Sequence, residues 1–129
     1  MKKSQIKILI VDDIPEYLDV IEALLPESYT VEKATALMEA KEKIEKAPPD
    51  LAIIDVRLKE EDETNKEGLE LLQWIKKHYP ALPVIMISAY KEFEFRAESL
   101  ALGAEYFLEK PIKPEHLLEA ITKVLEKKK

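Results

Sequence analysis

Five side chains able to take part in metal and phosphoryl chemistry lie near the ends of apolar runs in the chain. They are Asp12, Asp13, Asp55, Ser88 and Lys110. Short apolar runs such as 51–54 are typical of strands that are buried on both faces of a parallel sheet. The carboxyl ends of parallel strands meet at one edge of the sheet, where open α/β folds bind ligands. We therefore expect three carboxylates, a hydroxyl and an amine to converge at that edge.

This set of groups is suited to metal-assisted phosphoryl transfer. Mg²⁺ prefers a few carboxylate oxygens together with water and phosphate oxygens. A carboxylate such as Asp55 can attack phosphorus and become an aspartyl phosphate. A metal would offset the repulsion between Asp55 and the incoming group, while Ser88 and Lys110 could hold the phosphoryl oxygens.

The residues after the first apolar run also allow a simpler interpretation. Asp13 is followed by Pro15 and Glu16 in a pattern typical of a helix start, so Asp13 could serve only as the helix cap. A cap does not account for the adjacent carboxylate of Asp12, which adds repulsion unless a cation or hydration offsets it. We therefore favour metal binding by this pair.

The spacing of apolar residues predicts five strands alternating with five helices. Strands are predicted at 6–11, 29–33, 51–55, 82–87 and 106–108, and helices at 13–25, 34–47, 69–77, 92–102 and 114–125. The first, third and fourth strands are the most apolar and should be central. With right-handed crossovers, this gives an α/β fold with a five-stranded parallel sheet in the order 2-1-3-4-5, helices on both faces, and a flavodoxin-like arrangement.

Composition narrows the class of protein further. A chain of 129 residues with 47% hydrophobic and 36% charged residues is expected to form a single folded domain over residues 1–129. The net charge of −6 argues against direct nucleic-acid binding, and the absence of Cys excludes thiolate and cysteine–zinc sites. No apolar stretch approaches the ~20 residues of a membrane span, and a signal-peptide pattern is missing, so we expect a cytoplasmic protein.

In their order and spacing, the motifs resemble the receiver domain of bacterial two-component response regulators. The resemblance covers nearly the whole chain and rests on Asp12–Asp13, Asp55, Ser88–Ala89, Gly103–Ala104, Phe107 and Lys110–Pro111. It implies a phosphorylation-dependent signalling switch rather than an enzyme. The phosphoryl group would come to Asp55 from the phosphohistidine of a sensor histidine kinase or a phosphotransfer protein.

The resemblance also implies roles for individual residues. Mg²⁺ would be held by Asp12, Asp13, Asp55 and the backbone carbonyl of Arg57. Ser88 and Lys110 would bind the phosphoryl group, and the Lys110–Pro111 peptide would be cis. Ser88 and Phe107 would form the switch, with Ser88 drawn toward the phosphoryl group and Phe107 turning inward.

Two features depart from the usual family pattern. Leu58–Lys59 stands where Met-Pro is common, and residues 60–67 lengthen the following loop with acidic side chains. We expect the stretch 59–68 to be exposed to solvent, where its charges either alter metal affinity and kinase choice or are merely solvated. Phe107 has no hydroxyl group, so a switch at this position must depend on rotational packing alone.

The helix predicted at 92–102 carries apolar residues on two opposed faces. One stripe consists of Phe93, Ala97, Leu100 and Ala101, and the other of Phe95 and Leu102. Only one stripe can pack on the sheet, and the sequence does not indicate which. The other should be a partner surface, through which the protein forms a homodimer or docks an effector.

Other functions remain as alternatives. An FMN-binding protein of similar fold would need a phosphate cradle where Asp12–Asp13 stands. An aspartyl-phosphate phosphatase would need a second Asp shortly after Asp55, and a non-phosphorylated pseudo-receiver adaptor would not need the complete set of Asp, Ser and Lys. The sequence leaves open whether the chain acts alone or belongs to a longer regulator.

Overall fold

The computed structural model describes residues 6–59, 61–62, 64–89 and 93–128, except for the side chains of residues 93, 94, 127 and 128. Five parallel strands form one sheet in the order β2-β1-β3-β4-β5. The strands are β1 (Lys7–Val11), β2 (Thr30–Ala34), β3 (Leu51–Asp55), β4 (Val84–Ser88) and β5 (Tyr106–Glu109). The helices are α1 (Pro15–Leu24), α2 (Leu37–Lys46), α3 (Glu67–His78), α4 (Phe93–Ala101) and α5 (Pro114–Lys128). The predicted fold class and strand order are confirmed.

The two faces of the sheet contribute to two separate apolar clusters. Leu9 and Val11 of β1 belong to the cluster formed with α2, α3 and α4. Ile8 and Ile10 belong to the cluster formed with α1 and α5. Successive side chains of a strand point to opposite faces, so a strand covered on both sides must be apolar at every position. This explains the uninterrupted apolar runs in the sequence.

The predicted element boundaries differ from the observed ones by up to three residues. Ala34, which was predicted to begin the second helix, is instead the last residue of β2 and pairs in register with Val11. Its carbonyl oxygen accepts a hydrogen bond from the N–H of Asp12 at 3.1 Å, which holds the end of β2 beside the end of β1. Glu92, the predicted first residue of the fourth helix, lies outside the described residues.

The alternative interpretation of Asp13 as a helix cap does not hold. The N-cap of α1 is Ile14, and within the described residues no side chain caps this helix. Pro15 at the first helical position has no N–H group, so the first turn has one fewer donor without a partner in the helix. Asp12, rather than Asp13, orders this turn, because its Oδ1 accepts a hydrogen bond from the N–H of Ile14 at 3.0 Å.

Two further sequence expectations are met at the ends of elements. Gly103, predicted to follow the fourth helix in a left-handed conformation, has a φ of 108°. The Lys110–Pro111 peptide is cis, as the resemblance implied. Across the described ranges, none of the helices has the length and apolar character needed to cross a membrane.

The stretch 59–68 is only partly the exposed loop that was predicted. The side chains of Glu61, Asp62 and Thr64 are exposed, whereas Asn65 and Gly68 are buried. Glu60 and Glu63 lie outside the described residues. Asn65 closes the loop, because its Oδ1 accepts hydrogen bonds from the N–H groups of Leu58 at 2.9 Å and Glu67 at 3.1 Å. The buried amide of Asn65 therefore joins the two ends of the acidic loop, in addition to the ion pair between Lys59 and Glu67.

Candidate functional site

Three charged side chains are buried together at the carboxyl edge of the sheet. Asp12 follows β1, Asp55 ends β3 and Lys110 follows β5. Their exposed fractions are 0%, 3% and 5%. Charged side chains are rarely buried to this degree unless they are paired, and such clusters are common at functional sites.

Lys110 links the two buried carboxylates. Its Nζ donates hydrogen bonds to Oδ2 of Asp12 at 2.8 Å and to Oδ2 of Asp55 at 3.1 Å. Burial by itself lowers the pKa of Lys110, but the charge of Asp55 and the charge and hydrogen bond of Asp12 outweigh it. The pKa of Lys110 is therefore raised, and the side chain is an ammonium ion at neutral pH.

Backbone hydrogen bonds explain how residues so distant in sequence meet here. The N–H of Lys110 donates to the carbonyl oxygen of Ser88 at 2.8 Å, which continues the pairing of β5 with β4 by one residue. The N–H of Val56 donates to the carbonyl oxygen of Ile87 at 2.9 Å and does the same for β3 and β4. These hydrogen bonds fix the register of β3, β4 and β5 at their carboxyl ends, so the side chains at these ends lie at one edge of the sheet.

The carboxylates of Asp12, Asp13 and Asp55 fit a divalent cation. One oxygen from each of them lies within 4.8 Å of the others. When all three are ionised they repel one another, and the ammonium of Lys110 offsets part of this repulsion. An ion such as Mg²⁺ would offset more of it, and oxygen donors are the ligands it prefers. The predicted metal ligands from side chains are therefore brought together.

The remaining predicted site residues lie at or near the same edge. Ser88 is fully buried at the end of β4 and pairs in register with Glu109. Arg57 follows Asp55 by two residues, and its side chain is buried. The metal-binding role of the Arg57 carbonyl and the phosphoryl-binding role of Ser88 stay predictions.

Phe107 is buried in this conformation. Its exposure is 5%, and it belongs to the apolar cluster that also contains Phe95 of α4. The turn of Phe107 on phosphorylation stays a prediction. The side chain of Arg96 in α4 donates a hydrogen bond to the carbonyl oxygen of Phe107 at 3.5 Å. The helix therefore contacts the backbone of β5 as well as its side chains.

The structure also decides which face of α4 packs inward. Phe95 is buried, and Leu102 packs against the same cluster. Ala97, Leu100 and Ala101 face outward, with Leu100 at 42% exposure. The side chain of Phe93, which was predicted to belong to the outer stripe, lies outside the described residues.

A groove of about 640 Å³ lies beside β5 and links this helix to the candidate site. Arg96, Lys113 and His116 supply basic groups, Glu109 supplies one carboxylate, and Tyr106 supplies an aromatic ring, so basic groups predominate in this groove. Lys110 is also among the residues that line this groove.

Sequence reasoning missed two residues that contact the site. A Cβ atom on Gly68 would lie 1.9 Å from the backbone oxygen of Asp55, so α3 begins directly against the backbone of this residue. The scarcity of glycine, with two in the chain, was a usable signal for Gly68. Tyr17 places its ring over the Lys110 ammonium, with 3.7 Å from Nζ to the ring centroid. Nothing in the local sequence pattern indicated this contact.

Known proteins share this fold and sequence pattern. Residues 8–122 match the response regulator receiver domain family. Response regulator protein PilR of Pseudomonas aeruginosa is 34% identical over 95% of this chain and 26% of its own length. Transcriptional regulatory protein ZraR of Escherichia coli K12 is 34% identical over 97% of this chain and 27% of its own length. The chain thus spans about a quarter of these curated relatives.

Solved structures with a similar fold are also receiver domains. A CheY-like receiver domain protein from Methanospirillum hungatei superposes with a TM-score of 0.85 at 36% identity, with 97% of both chains covered. The beryllofluoride-activated NtrC4 receiver domain dimer has a TM-score of 0.85 at 27% identity, with 95% of this chain and 98% of that chain covered. Because the family match covers most of the chain and the fold and site geometry agree with it, this chain belongs to the response regulator receiver domain family.

Proposed function

We propose that Asp55 is the phosphoacceptor of a signalling switch that receives its phosphoryl group from a sensor histidine kinase or a phosphotransfer protein. The observation that carries the proposal is the buried ammonium of Lys110, which contacts both Asp12 and Asp55. A structural ion pair needs one carboxylate, whereas two contact Lys110 here and a third lies beside them. This cluster of carboxylates is suited to a metal-assisted reaction with a phosphate group.

The transfer step assigns a role to each group. An oxygen of the Asp55 carboxylate forms a bond to phosphorus while the P–N bond to the phosphohistidine breaks. The imidazole nitrogen keeps the bonding electron pair and takes up a proton from solvent. Lys110 exchanges its contact with Asp55 for one with a phosphoryl oxygen, and the hydroxyl of Ser88 donates to another.

Asp12, Asp13 and the backbone carbonyl of Arg57 would hold Mg²⁺ together with Asp55. When bound, the metal neutralises charge on the phosphoryl oxygens and lowers the repulsion that Asp55 must overcome. The protein is a phosphoacceptor rather than an enzyme acting on a separate substrate. The same groups assist dephosphorylation, in which water attacks phosphorus, the bond between phosphorus and the Asp55 oxygen breaks, and inorganic phosphate leaves while the Asp55 carboxylate is restored.

Phosphorylation would be read out on the face formed by α4, β5 and α5. Ser88 ends β4, and Phe107 packs with Phe95 beneath α4, so a shift at Ser88 can be transmitted to this helix. The proposed change is the turn of Phe107, which repacks it against Phe95. An equilibrium moved from 1:99 to 99:1 requires ~5.5 kcal/mol of differential interaction, which bonds from Ser88 and Lys110 to one phosphoryl group could largely supply.

The partner surface proposed here consists of the outward residues of α4 and the basic groove beside β5. Exposed Leu100 and the groove residues Arg96 and Lys113 suit either a second copy of the chain or an effector with acidic groups. One similar protein, NtrC4, has an activated receiver domain that is a dimer. We further propose that residues 1–129 form a single cytoplasmic domain, and that this domain itself binds neither membranes nor nucleic acid directly.

Intact-mass measurement tests the proposed chemistry. With Mg²⁺ and acetyl phosphate, the protein should gain one phosphoryl group, and Asp55→Asn should gain none. Asp50→Asn is a matched control, because Asp50 lies at the other edge of the sheet, where its Oδ2 accepts the N–H of Lys7. Full labelling of Asp55→Asn would show that the phosphoacceptor is another residue.

A further inference from the structure

The ring of Tyr17 covers the ammonium group at the centre of the site. The 3.7 Å between Nζ of Lys110 and the ring centroid is well inside the ~6 Å range of cation–π attraction. The Lys110 side chain is 2% exposed, so the attraction acts largely out of contact with solvent. Electrostatic attraction is stronger in such an environment than at the surface. Tyr17 is thus a third partner of Lys110, besides Asp12 and Asp55.

The segment that carries the acidic pair also holds this ring. Tyr17 is the third residue of α1, and its N–H donates to the carbonyl oxygen of Ile14 at 2.9 Å. The N–H of Ile14 in turn donates to Oδ1 of Asp12 at 3.0 Å. Pro15 restricts the backbone between them. The ring and the Asp12 carboxylate are therefore positioned by one ordered turn and approach Lys110 together.

The contact matters because a lysine side chain is flexible. The lysine ammonium group carries three N–H donors at the end of a flexible four-carbon chain. This chain loses much of its conformational entropy when Nζ is held in one place. Asp12 and Asp55 accept two hydrogen bonds from Nζ. During transfer the contact with Asp55 must be exchanged for one with a phosphoryl oxygen. A partner that does not take part in the exchange would keep Nζ over the site.

We infer that Tyr17 is a positioning residue for phosphoryl transfer, whose ring face holds the Lys110 ammonium in place to meet the phosphoryl group. This inference rests on the proposed function of Asp55. Its effect comes from the ring face rather than the hydroxyl group, because the contact is made to the ring centroid. The ring is preorganised and, unlike Asp55, remains unchanged during the reaction.

Substitution at Tyr17 should change the rate of phosphorylation. With Mg²⁺ and acetyl phosphate, an Asp55 oxygen bonds to phosphorus and acetate leaves with the electron pair. We expect Tyr17→Leu to slow this step about tenfold, equal to 1.4 kcal/mol, and Tyr17→Phe to rescue most of the loss. Tyr79→Leu is the matched control, because that ring packs on Trp74 with 5.5 Å between centroids, away from the site.

A series of fluorinated rings separates cation–π attraction from packing. Phenylalanine with one, two or three fluorine atoms can be placed at residue 17. Each fluorine withdraws electron density from the ring face with little change in size, so the attraction for Lys110 weakens stepwise. The logarithm of the phosphorylation rate should fall with each fluorine. A flat series, or equal rates for Tyr17→Phe and Tyr17→Leu, would overturn the inference.

The contact can also be measured without metal or phosphoryl donor. The ring current of Tyr17 should shift the NMR signals of the Lys110 ε-methylene protons upfield, and Tyr17→Leu should remove the shift. Identical signals in both proteins would overturn the inference. If the shift is present but wild-type Asp55 takes no phosphoryl group, the proposed function fails. If Asp55 is phosphorylated and the fluorinated series is flat, only the role of Tyr17 fails.

Discussion

Two lysines contact carboxylates at opposite edges of the sheet, and their surroundings differ in charge balance. At the amino edge, Nζ of Lys76 lies 3.2 Å from Oε2 of Glu105 and donates to the carbonyl oxygen of Leu82 at 2.9 Å. Glu105 also accepts the N–H of Val84 through Oε1 at 2.7 Å. One cation and one anion thus join α3 to the start of β4, and Lys76 keeps 19% of its side chain exposed.

At the carboxyl edge one lysine contacts two carboxylates. Lys110 is more deeply buried than Lys76 and contacts Asp12 and Asp55, with an oxygen of Asp13 within 4.8 Å of theirs. Carboxylates this close repel one another when ionised, and a further cation would offset that repulsion. The comparison teaches that a buried lysine–carboxylate contact is not by itself a sign of function. The informative feature is the gathering of three carboxylates at one place.

The largest expected effect comes from replacing each lysine with methionine. In metal-free buffer, Lys110→Met should lower the free energy of unfolding by about 3 kcal/mol, because buried carboxylates lose their partner. Lys76→Met should lower it by about 1 kcal/mol, since its ion pair is partly exposed. Urea denaturation with and without Mg²⁺ measures both, and Mg²⁺ should recover stability mainly in Lys110→Met. Equal losses, with no response to Mg²⁺, would remove the distinction between the two edges.

The two glycines provide a second comparison of the edges. Gly68→Ala should lower the free energy of unfolding by about 2 kcal/mol, because the new Cβ overlaps the Asp55 backbone oxygen and the backbone must move. It should also slow phosphorylation, since the phosphoacceptor is displaced.

Gly103→Ala is the matched substitution at the amino edge. Its positive φ of 108° makes alanine unfavourable by about 1 to 2 kcal/mol, yet the nearest atom to the new Cβ is the flexible Lys76 Cγ at 3.2 Å. Its phosphorylation rate should equal that of the wild type. Urea denaturation and labelling by acetyl phosphate give both quantities. Slow phosphorylation in Gly103→Ala would show that the site responds to strain anywhere in the sheet.

A smaller effect is expected from Asp13→Asn. Mg²⁺ affinity should fall about tenfold, because a charged ligand is lost. Metal-free stability should not fall, since Asp13 does not cap α1 and the repulsion between carboxylates is reduced. Calorimetric titration with Mg²⁺ measures the affinity. Asp19→Asn is the control, because Asp19 pairs with Lys33 on the outside of α1. Unchanged affinity in Asp13→Asn would exclude Asp13 as a ligand.

The smallest effect concerns Asp62 in the acidic loop, an exposed carboxylate that accepts two hydrogen bonds from Thr64. Hydrogen bonds from the side chain and backbone of Thr64 lower the pKa of Asp62 from its ordinary value of 3.8. A lowered folded-state pKa stabilises the protein above the unfolded value, and this contribution is lost as pH falls through the folded value. Asp62→Ala should thus be less stable than wild type at neutral pH, and the difference should vanish in acid.

Urea denaturation at neutral and acidic pH measures this difference. Thr64→Val is the companion variant, because it removes the donating hydroxyl and should reproduce part of the effect. A difference that persists unchanged in acid would show that the contribution of Asp62 does not depend on its charge.

Much of the fold was predictable because its signals are local and periodic. The apolar run at 51–54 indicates a strand covered on both faces, and the order of such runs leads to the observed sheet. Asp12, Asp55 and Lys110 could be assigned to one edge because each follows a strand in a parallel sheet. Their assignment to one edge did not depend on the details of packing, whereas the contacts among them do.

The errors lie where contacts between distant segments override a local pattern. Ala34 suits a helix, yet it pairs with Val11 at the end of β2. Asn65 belongs to a polar stretch, yet its amide is buried because Leu58 and Glu67 both need a hydrogen-bond acceptor. Asp13 resembles a helix cap, yet Ile14 takes that position. In each case the surrounding structure satisfies the backbone in a way the local residues do not specify.

The sequence by itself determined the sheet order and the edge at which the chemical groups gather, because the period of apolar residues sets both. Only the tertiary structure decided that Phe95 rather than Leu100 faces the core, since α4 has apolar residues on both sides and the sheet selects one. It alone placed Tyr17 over Lys110, two residues that lie on different elements. Periodicity specifies which face of an element is buried, whereas distances between side chains on separate elements depend on how those elements pack.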